Sequence, residues 1–149
     1  MVLGFAVRRL GRAEMADPRR EEEGMLLRDI DATAILAVKD IGVAKDFYER
    51  ILGLEPARGD QDGMILYKTG TSSLSIYESE HAGTNQANAL AWSVGENFDA
   101  IVEDLRARGV TFEHYELPGL RLEGDVHVAD NFKAVWFKDP DGNILHINA

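Results

Sequence analysis

The stretch Trp136-Phe-Lys-Asp-Pro-Asp-Gly-Asn-Ile-Leu-His-Ile147 decides how this chain is read. Asp139-Pro-Asp-Gly142 is a strong turn signal, because proline presets φ and glycine accepts the positive φ that tight turns need. Apolar, strand-forming residues flank it on both sides, so Lys133–Lys138 and Asn143–Ile147 are expected to form a hairpin. If Lys138 pairs with Asn143 across the turn, then Val135, Phe137, Ile144 and His146 share one face.

Working back from this hairpin, Phe98, Ile101, Val102 and Leu105 stand at i, i+3, i+4 and i+7, an amphipathic helix that Gly109 ends. Ala87–Val94 precedes it as a strand, and Thr111–Glu116 follows as another. The same order occurs earlier. Thr33–Val38 reads as a buried strand. Asp40 can cap a helix whose apolar positions are Val43, Phe47, Ile51 and Leu54, with Gly53 as the stop. Strands are expected over 63–69 and 73–77, with a weaker one over 55–60. Val38 to Gly53 and Val94 to Gly109 have equal spacing, so the chain contains a βαβββ unit repeated at an offset of 56 residues. The expected fold class is α+β, with modules over 31–80 and 87–149 inside one domain, 29–149. Residues 1–28 show no period and include the charge-dense run Asp17–Gly24, so they are expected to be a mobile or loosely docked tail.

Composition bounds the function. The chain has 149 residues, 45% of them hydrophobic and 28% charged, which suits one domain with one core. There is no cysteine, so disulfides and thiolate chemistry are excluded, and a reducing cytoplasm is the expected location. No apolar run reaches membrane-span length. The first nine residues place an apolar patch ahead of arginines, the reverse of a secretory signal. The net charge is −10, and residues 29–149 carry −11 of it. Such a surface excludes nucleic acid as a partner, since phosphates need a basic footprint.

Three stretches, Val38-Lys-Asp-Ile…Ala44-Lys-Asp-Phe-Tyr48…Leu52-Gly-Leu54, Ile101–Val110 and Trp136–Asn143, make the chain resemble the vicinal-oxygen-chelate superfamily. This is the group of glyoxalase I, bleomycin-resistance proteins, extradiol dioxygenases and fosfomycin-resistance enzymes. The resemblance implies two βαβββ modules that curl antiparallel sheets around a cavity, usually in a homodimer. It also implies a divalent metal held by one residue from the first and last strands of each module. Counted from Asp40, the repeat offset and Gly142, those positions fall at Thr33, Ser75, Ala89 and His146. Metals of this kind want imidazole or carboxylate, and only His146 provides one. The remaining histidines, His81, His114 and His127, are expected to be exposed or structurally satisfied.

Strand alternation then assigns the cavity walls. Thr33, Ile35 and Ala37 form one, Ser75 and Tyr77 the next, and Ala89, Ala91 and Ser93 a third, with Val135, Phe137 and His146 on the last. Such a mostly apolar pocket with a few polar points suits a small organic molecule. The second module holds 15 more residues than the first between its two metal positions, and these fall in Leu117–Asn131, an expected lid over the cavity mouth. Trp92 and Trp136 are expected to pack against the helices. The leading reading is a metal-free small-molecule-binding protein of the glyoxalase/bleomycin-resistance type that needs no cofactor. The alternative is a lyase, isomerase or other enzyme of the superfamily, with His146 as acid or base and Tyr77 as hydrogen-bond donor, or with a non-standard metal site centred on His146.

Overall fold

A computed structural model describes residue 27 and residues 30–149, and for 58–61 the backbone alone. The expectation of a mobile tail over 1–28 thus falls, Leu27 apart, outside the described residues. The chain divides into two units, Met1–Asp31 and Ala32–Ala149.

Its first module runs β1 (Ala34–Val38), α1 (Ile41–Lys45), β2 (Glu55–Gln61), β3 (Met64–Thr69) and β4 (Ser72–Glu78). Asp40 caps α1, its carboxylate accepting from the Val43 N–H at 3.0 Å. From Asp46 to Ile51 the helix continues with a wider, π-type winding. That winding changes the buried stripe: Ala44 and Tyr48 go into the core, whereas Val43, expected on the apolar face, is half exposed. The strands form a sheet in the order β1-β4-β3-β2, with β1 parallel to β4.

The second module runs β5 (Asn88–Ser93), α2 (Phe98–Ala107), β6 (Phe112–Glu113), β7 (Arg121–Glu123), β8 (Val126–Ala129), β9 (Phe132–Lys138) and β10 (Ile144–Asn148). Its sheet has the order β5-β10-β9-β8-β7, and β6 also pairs with β9. The architecture is therefore α+β, with two helices and two curved sheets. The ladders show that the repeat is structural. Ile35 pairs with Ser75 in the first sheet, and Ala91 pairs with His146 in the second. These positions differ by 56 and 71 residues, the two offsets read from sequence.

Two expectations change. The strand expected over 111–116 shortens to Phe112–Glu113. The insertion, expected to be a loop, contains the hairpin β7–β8, which extends the second sheet alongside β9. Beside β9, β6 covers only Trp136–Phe137, and β8 takes up the ladder at Phe132–Ala134. The extra residues thus supply backbone partners that a bare loop would leave unpaired.

One continuous core lies on the helix side of both sheets. It contains Leu36, Val38, Tyr48, Ile65, Tyr67, Leu74 and Ile76 from the first module, and Phe98, Val102, Leu105, Phe112, Val135, Phe137, Leu145 and Ile147 from the second. The Asp-Pro-Asp-Gly-Asn turn joins the modules. The buried Asp139 carboxylate accepts from Tyr48 Oη at 2.7 Å, from Asn143 Nδ2 at 2.8 Å, and from the N–H groups of Asp141 and Asn143, both at 2.9 Å. Asn143 Nδ2 also donates to the Ala37 carbonyl at 2.9 Å, and Lys39 N–H donates to Asp141 Oδ2 at 3.1 Å. A buried carboxylate is tolerated only when donors surround it in this way. Burial, with the negative charge of Asp139 beside it, raises the Tyr48 hydroxyl pKa, so Tyr48 stays a donor.

Candidate ligand site on the open faces of the two sheets

Alternation places Ile35, Ala37, Ser75 and Tyr77 on the face of the first sheet that the helices do not cover, opposite Leu66 and Met64 of β3. This face is open. Ile35 is 63% and Met64 49% exposed, while Leu36, Leu74 and Ile76 on the other side are buried. A cleft of about 390 Å³ brings Ile35, Ala37 and Tyr77 together with Asn88, Ala89 and Asn143, and His81 stands at its rim. Four residues expected in the cavity wall, Ile35, Ala37, Tyr77 and Ala89, therefore share one space. Thr33 lies just before β1, is exposed, and lines none of it. Ser75 is buried beside Ile35 in the ladder.

The second sheet corrects the face assignment. β10 pairs with β9 as Ile144↔Lys138, Leu145↔Phe137, His146↔Trp136 and Ile147↔Val135. Lys138 meets Ile144 and not Asn143, because Asn143 is held in the loop by Asp139 and Ala37. A slip of one residue moves every side chain to the other face. Val135 and Phe137, expected in the cavity, are fully buried on the helix side. Trp136, expected against the helices, shares the open face with His146 and Ala91. Trp92 packs toward the core as expected, with its indole N–H bonded to Thr69 Oγ1 at 2.9 Å.

Around Trp136 lies a cluster that the sequence reading missed. The His127 ring is 4.8 Å, His146 5.3 Å and Tyr115 6.0 Å from it, centroid to centroid. The Trp136 indole N–H donates to Asn88 Oδ1 at 3.1 Å. His127, expected to lie in a loop and to be exposed or satisfied, sits on β8 at 1% exposure. Its Nε2 meets Tyr115 N at 2.9 Å and Tyr115 O at 3.1 Å, and its Nδ1 has no partner. His146 Nε2 meets Asn148 Nδ2 at 2.9 Å, and its Nδ1 too is buried without a partner. Burial lowers the His146 pKa, so the ring is neutral near pH 7. The sequence signal for this cluster was the alternation of β9, misread by one position. His81 and His114 behave as expected: His81 is exposed, and His114 bonds Asp125 at 2.9 Å on the surface. The carboxylate of Asp125 is held below its usual pKa by His114 and Arg106.

The sequence model of the Glyoxalase/Bleomycin resistance protein/Dioxygenase superfamily matches residues 29–147. The chain belongs to this superfamily. Among solved structures, it is similar to a glyoxalase family protein from Enterococcus faecalis, at 26% identity over 84% of this chain and 100% of that one, with a TM-score of 0.60. A lactoylglutathione lyase from Agrobacterium tumefaciens matches at 16% identity over 80% of this chain and 92% of that one, TM-score 0.59. The fosfomycin resistance protein FosX from Mesorhizobium loti matches at 12% over 83% and 93%, TM-score 0.59. The last two establish the fold alone. No curated protein matches.

The superfamily's metal positions, transferred to this chain, do not fit a divalent ion. Thr33 and Ser75 offer neutral hydroxyls, Ala89 offers nothing, and His146 stands beside Ala91. Among the described residues, no three His, Asp or Glu side chains gather as a ligand set. No described helix is long and apolar enough to cross a membrane.

Proposed function

We propose that this superfamily member is a cytoplasmic, metal-free small-molecule-binding protein that acts as a homodimer. The donor set at the four ligand positions carries the reading, since one imidazole does not hold a divalent ion against water. Two further features support it. The cleft along Ile35, Ala37, Tyr77 and Ala89 is more polar than the apolar pocket expected from strand alternation, with Thr84, Asn85, Asn88 and Asn143 in its lining, so it offers hydrogen-bonding groups to a small polar molecule. The open face of the first sheet leaves Ile35 and Met64 uncovered, as surface awaiting a second copy or a ligand would be. Elemental analysis of protein purified without added metal tests the metal-free half. Well under one equivalent of Zn, Ni, Mn or Fe per chain is expected, and one tightly held equivalent overturns the reading. Light scattering at micromolar concentration tests the dimer, and a monomer mass refutes it.

A second reading, acid–base catalysis without metal, is favoured by one observation. The neutral His146 imidazole occupies a ligand position and has an unpartnered nitrogen. Tyr77, the candidate donor, lines a cleft to which His146 does not contribute. On this reading His146→Ala cuts turnover by about 10²–10⁴-fold. On the binding reading the same change weakens the ligand by about 1–3 kcal/mol.

A further inference from the structure

The cleft between the two modules is walled by side chains whose hydrogen-bonding roles are already fixed. Asn85 Oδ1 accepts from the Ala87 N–H at 3.0 Å, and Asn88 Oδ1 accepts from the Trp136 indole N–H at 3.1 Å. Both partners can only donate, so each amide is held with its NH₂ group left to offer. Asn143 is turned the other way. Its Nδ2 is spent on the Ala37 carbonyl at 2.9 Å and on Asp139 at 2.8 Å, which leaves Oδ1. The Thr84 hydroxyl donates to the His81 carbonyl at 2.8 Å, which leaves its lone pairs. All four side chains line the same cleft, together with Tyr77, whose hydroxyl both donates and accepts. Among the described residues no Asp, Glu, Lys or Arg lines it, and its single imidazole, His81, is exposed at the rim with Glu80 3.7 Å away. The loop that carries Thr84 and Asn85 is anchored. Ala82 is buried and its N–H donates to the Ser79 carbonyl at 3.2 Å, while Gly83 approaches the Asp141 carbonyl too closely to admit a Cβ.

We propose that this cleft binds an uncharged polyhydroxy molecule of monosaccharide size, held by the amide groups of Asn85 and Asn88 and the oxygens of Thr84, Asn143 and Tyr77. This deepens the small-molecule-binding reading above and rests on it. An ion would leave water with no counter-charge to meet it in the lining, a cost that neutral groups do not carry. The acidic surface adds repulsion for an anion. A ligand that only accepts leaves Thr84 Oγ1 and Asn143 Oδ1 unmet, and one that only donates leaves both amides unmet. A hydroxyl does both, so adjacent hydroxyls on one ring serve the amides and the oxygens together. Ile35, Ala37 and Ala89 supply apolar surface for the C–H face of such a ring. The volume of about 390 Å³ lies near the lower end of ligand pockets, about 300–1,000 Å³, and suits a single ring. Because the loop is already anchored, little ordering cost falls on binding. Of the four superfamily metal positions only Ala89 lines the cleft, and residues outside that set build the hydrogen-bonding wall.

The test is calorimetric titration of the full chain. Glucose, galactose, mannose and myo-inositol are compared with glucuronate, with glucosamine at a pH where it is protonated, and with cyclohexanol, which keeps a ring and one hydroxyl. At least one of the neutral polyols should bind saturably at millimolar concentration and more tightly than the two charged sugars and cyclohexanol. It should also shift tryptophan emission, because the Trp136 indole is bonded to Asn88. Asn85→Asp keeps the acceptor for the Ala87 N–H and removes the donor, and Thr84→Val keeps the shape and removes the acceptor. Each should weaken the bound polyol by about 3–10-fold, the loss of one hydrogen bond. Both side chains are exposed, so both variants should melt with the parent chain. The shape-conserving Thr84→Val keeps the test valid if Asn85→Asp folds poorly. No saturable binding of any neutral polyol, or an affinity unchanged by either variant, overturns the inference. Saturable binding of glucuronate, glucosamine or cyclohexanol in place of the neutral polyols overturns the ligand class and leaves small-molecule binding standing. A stoichiometric metal in the same sample overturns the metal-free reading itself.

Discussion

The open faces of the two sheets descend from one repeated register and have become different surfaces. In the first, Ile35 and Met64 stand exposed over Ser75 and Tyr77. In the second, Trp136 is 7% exposed and His127 1%, closed in by Tyr115 and the hairpin β7–β8. Ladder pairing is the same in both, Ile35 with Ser75 and Ala91 with His146. The 15 extra residues of the second module extend the sheet and bring the His127 imidazole beside its central strand, while Tyr115, just ahead of them, packs against Trp136. A repeat thus conserves backbone pairing, while an insertion at a sheet edge decides whether a face is buried.

The largest effects test this contrast. Trp136→Ala should lose about 3–5 kcal/mol, as for a buried aromatic, while Ile35→Ala should change folding by less than about 0.5 kcal/mol. Equal losses in chemical denaturation would show that the two faces are covered alike. Asp139→Ala belongs with the large effects. It strips the acceptor from four donors and should cost about 3–5 kcal/mol, with both modules melting in one transition. Two separate transitions would show that the modules fold independently.

Next comes Gly83, at φ +77°, where an added Cβ would lie 2.4 Å from the Asp141 carbonyl oxygen. Gly83→Ala should cost about 1–3 kcal/mol. Gly109→Ala, at φ +87° with open space around it, should cost only the left-handed penalty of about 1–2 kcal/mol. The gap between the two variants measures how tightly the modules approach, and no gap would mean that the contact yields.

A smaller, pH-dependent effect belongs to His146. Burial sets its folded pKa below 6.5, so between the two pKa values the unfolded chain binds more protons. Its contribution is fully present above about pH 6.5, falls as pH drops through 6.5, and levels off below the folded pKa. The melting temperature of His146→Gln should lose this part of the pH dependence, and an unchanged profile would contradict the burial of the ring. The smallest effect is expected from starting the chain at Met25. The melting temperature should fall by less than about 8 °C, and a larger drop would show that the first residues are structural.

The repeat, both helices and the hairpin turn were legible in local signals. Periods of 2 and 3.6, capping by Asp40, and glycines at 53 and 109 act over a few residues, so sequence spacing reports them. The open face of the first sheet was legible for the same reason, since Ile35, Ala37, Ser75 and Tyr77 follow from alternation alone. The second sheet was not, because its register depends on contacts 91 and 106 residues apart in sequence, Tyr48 with Asp139 and Ala37 with Asn143. These hold Asn143 in the loop and shift the ladder by one. That single position exchanges Trp136 for Val135 and Phe137 on the open face. His127 joined the cluster only because the insertion folds back as a strand against β9. Composition and periodicity fixed which residues could form strands and helices; only tertiary hydrogen bonds, costly to leave unmade once buried, decided which side chains stand on the face away from the helices.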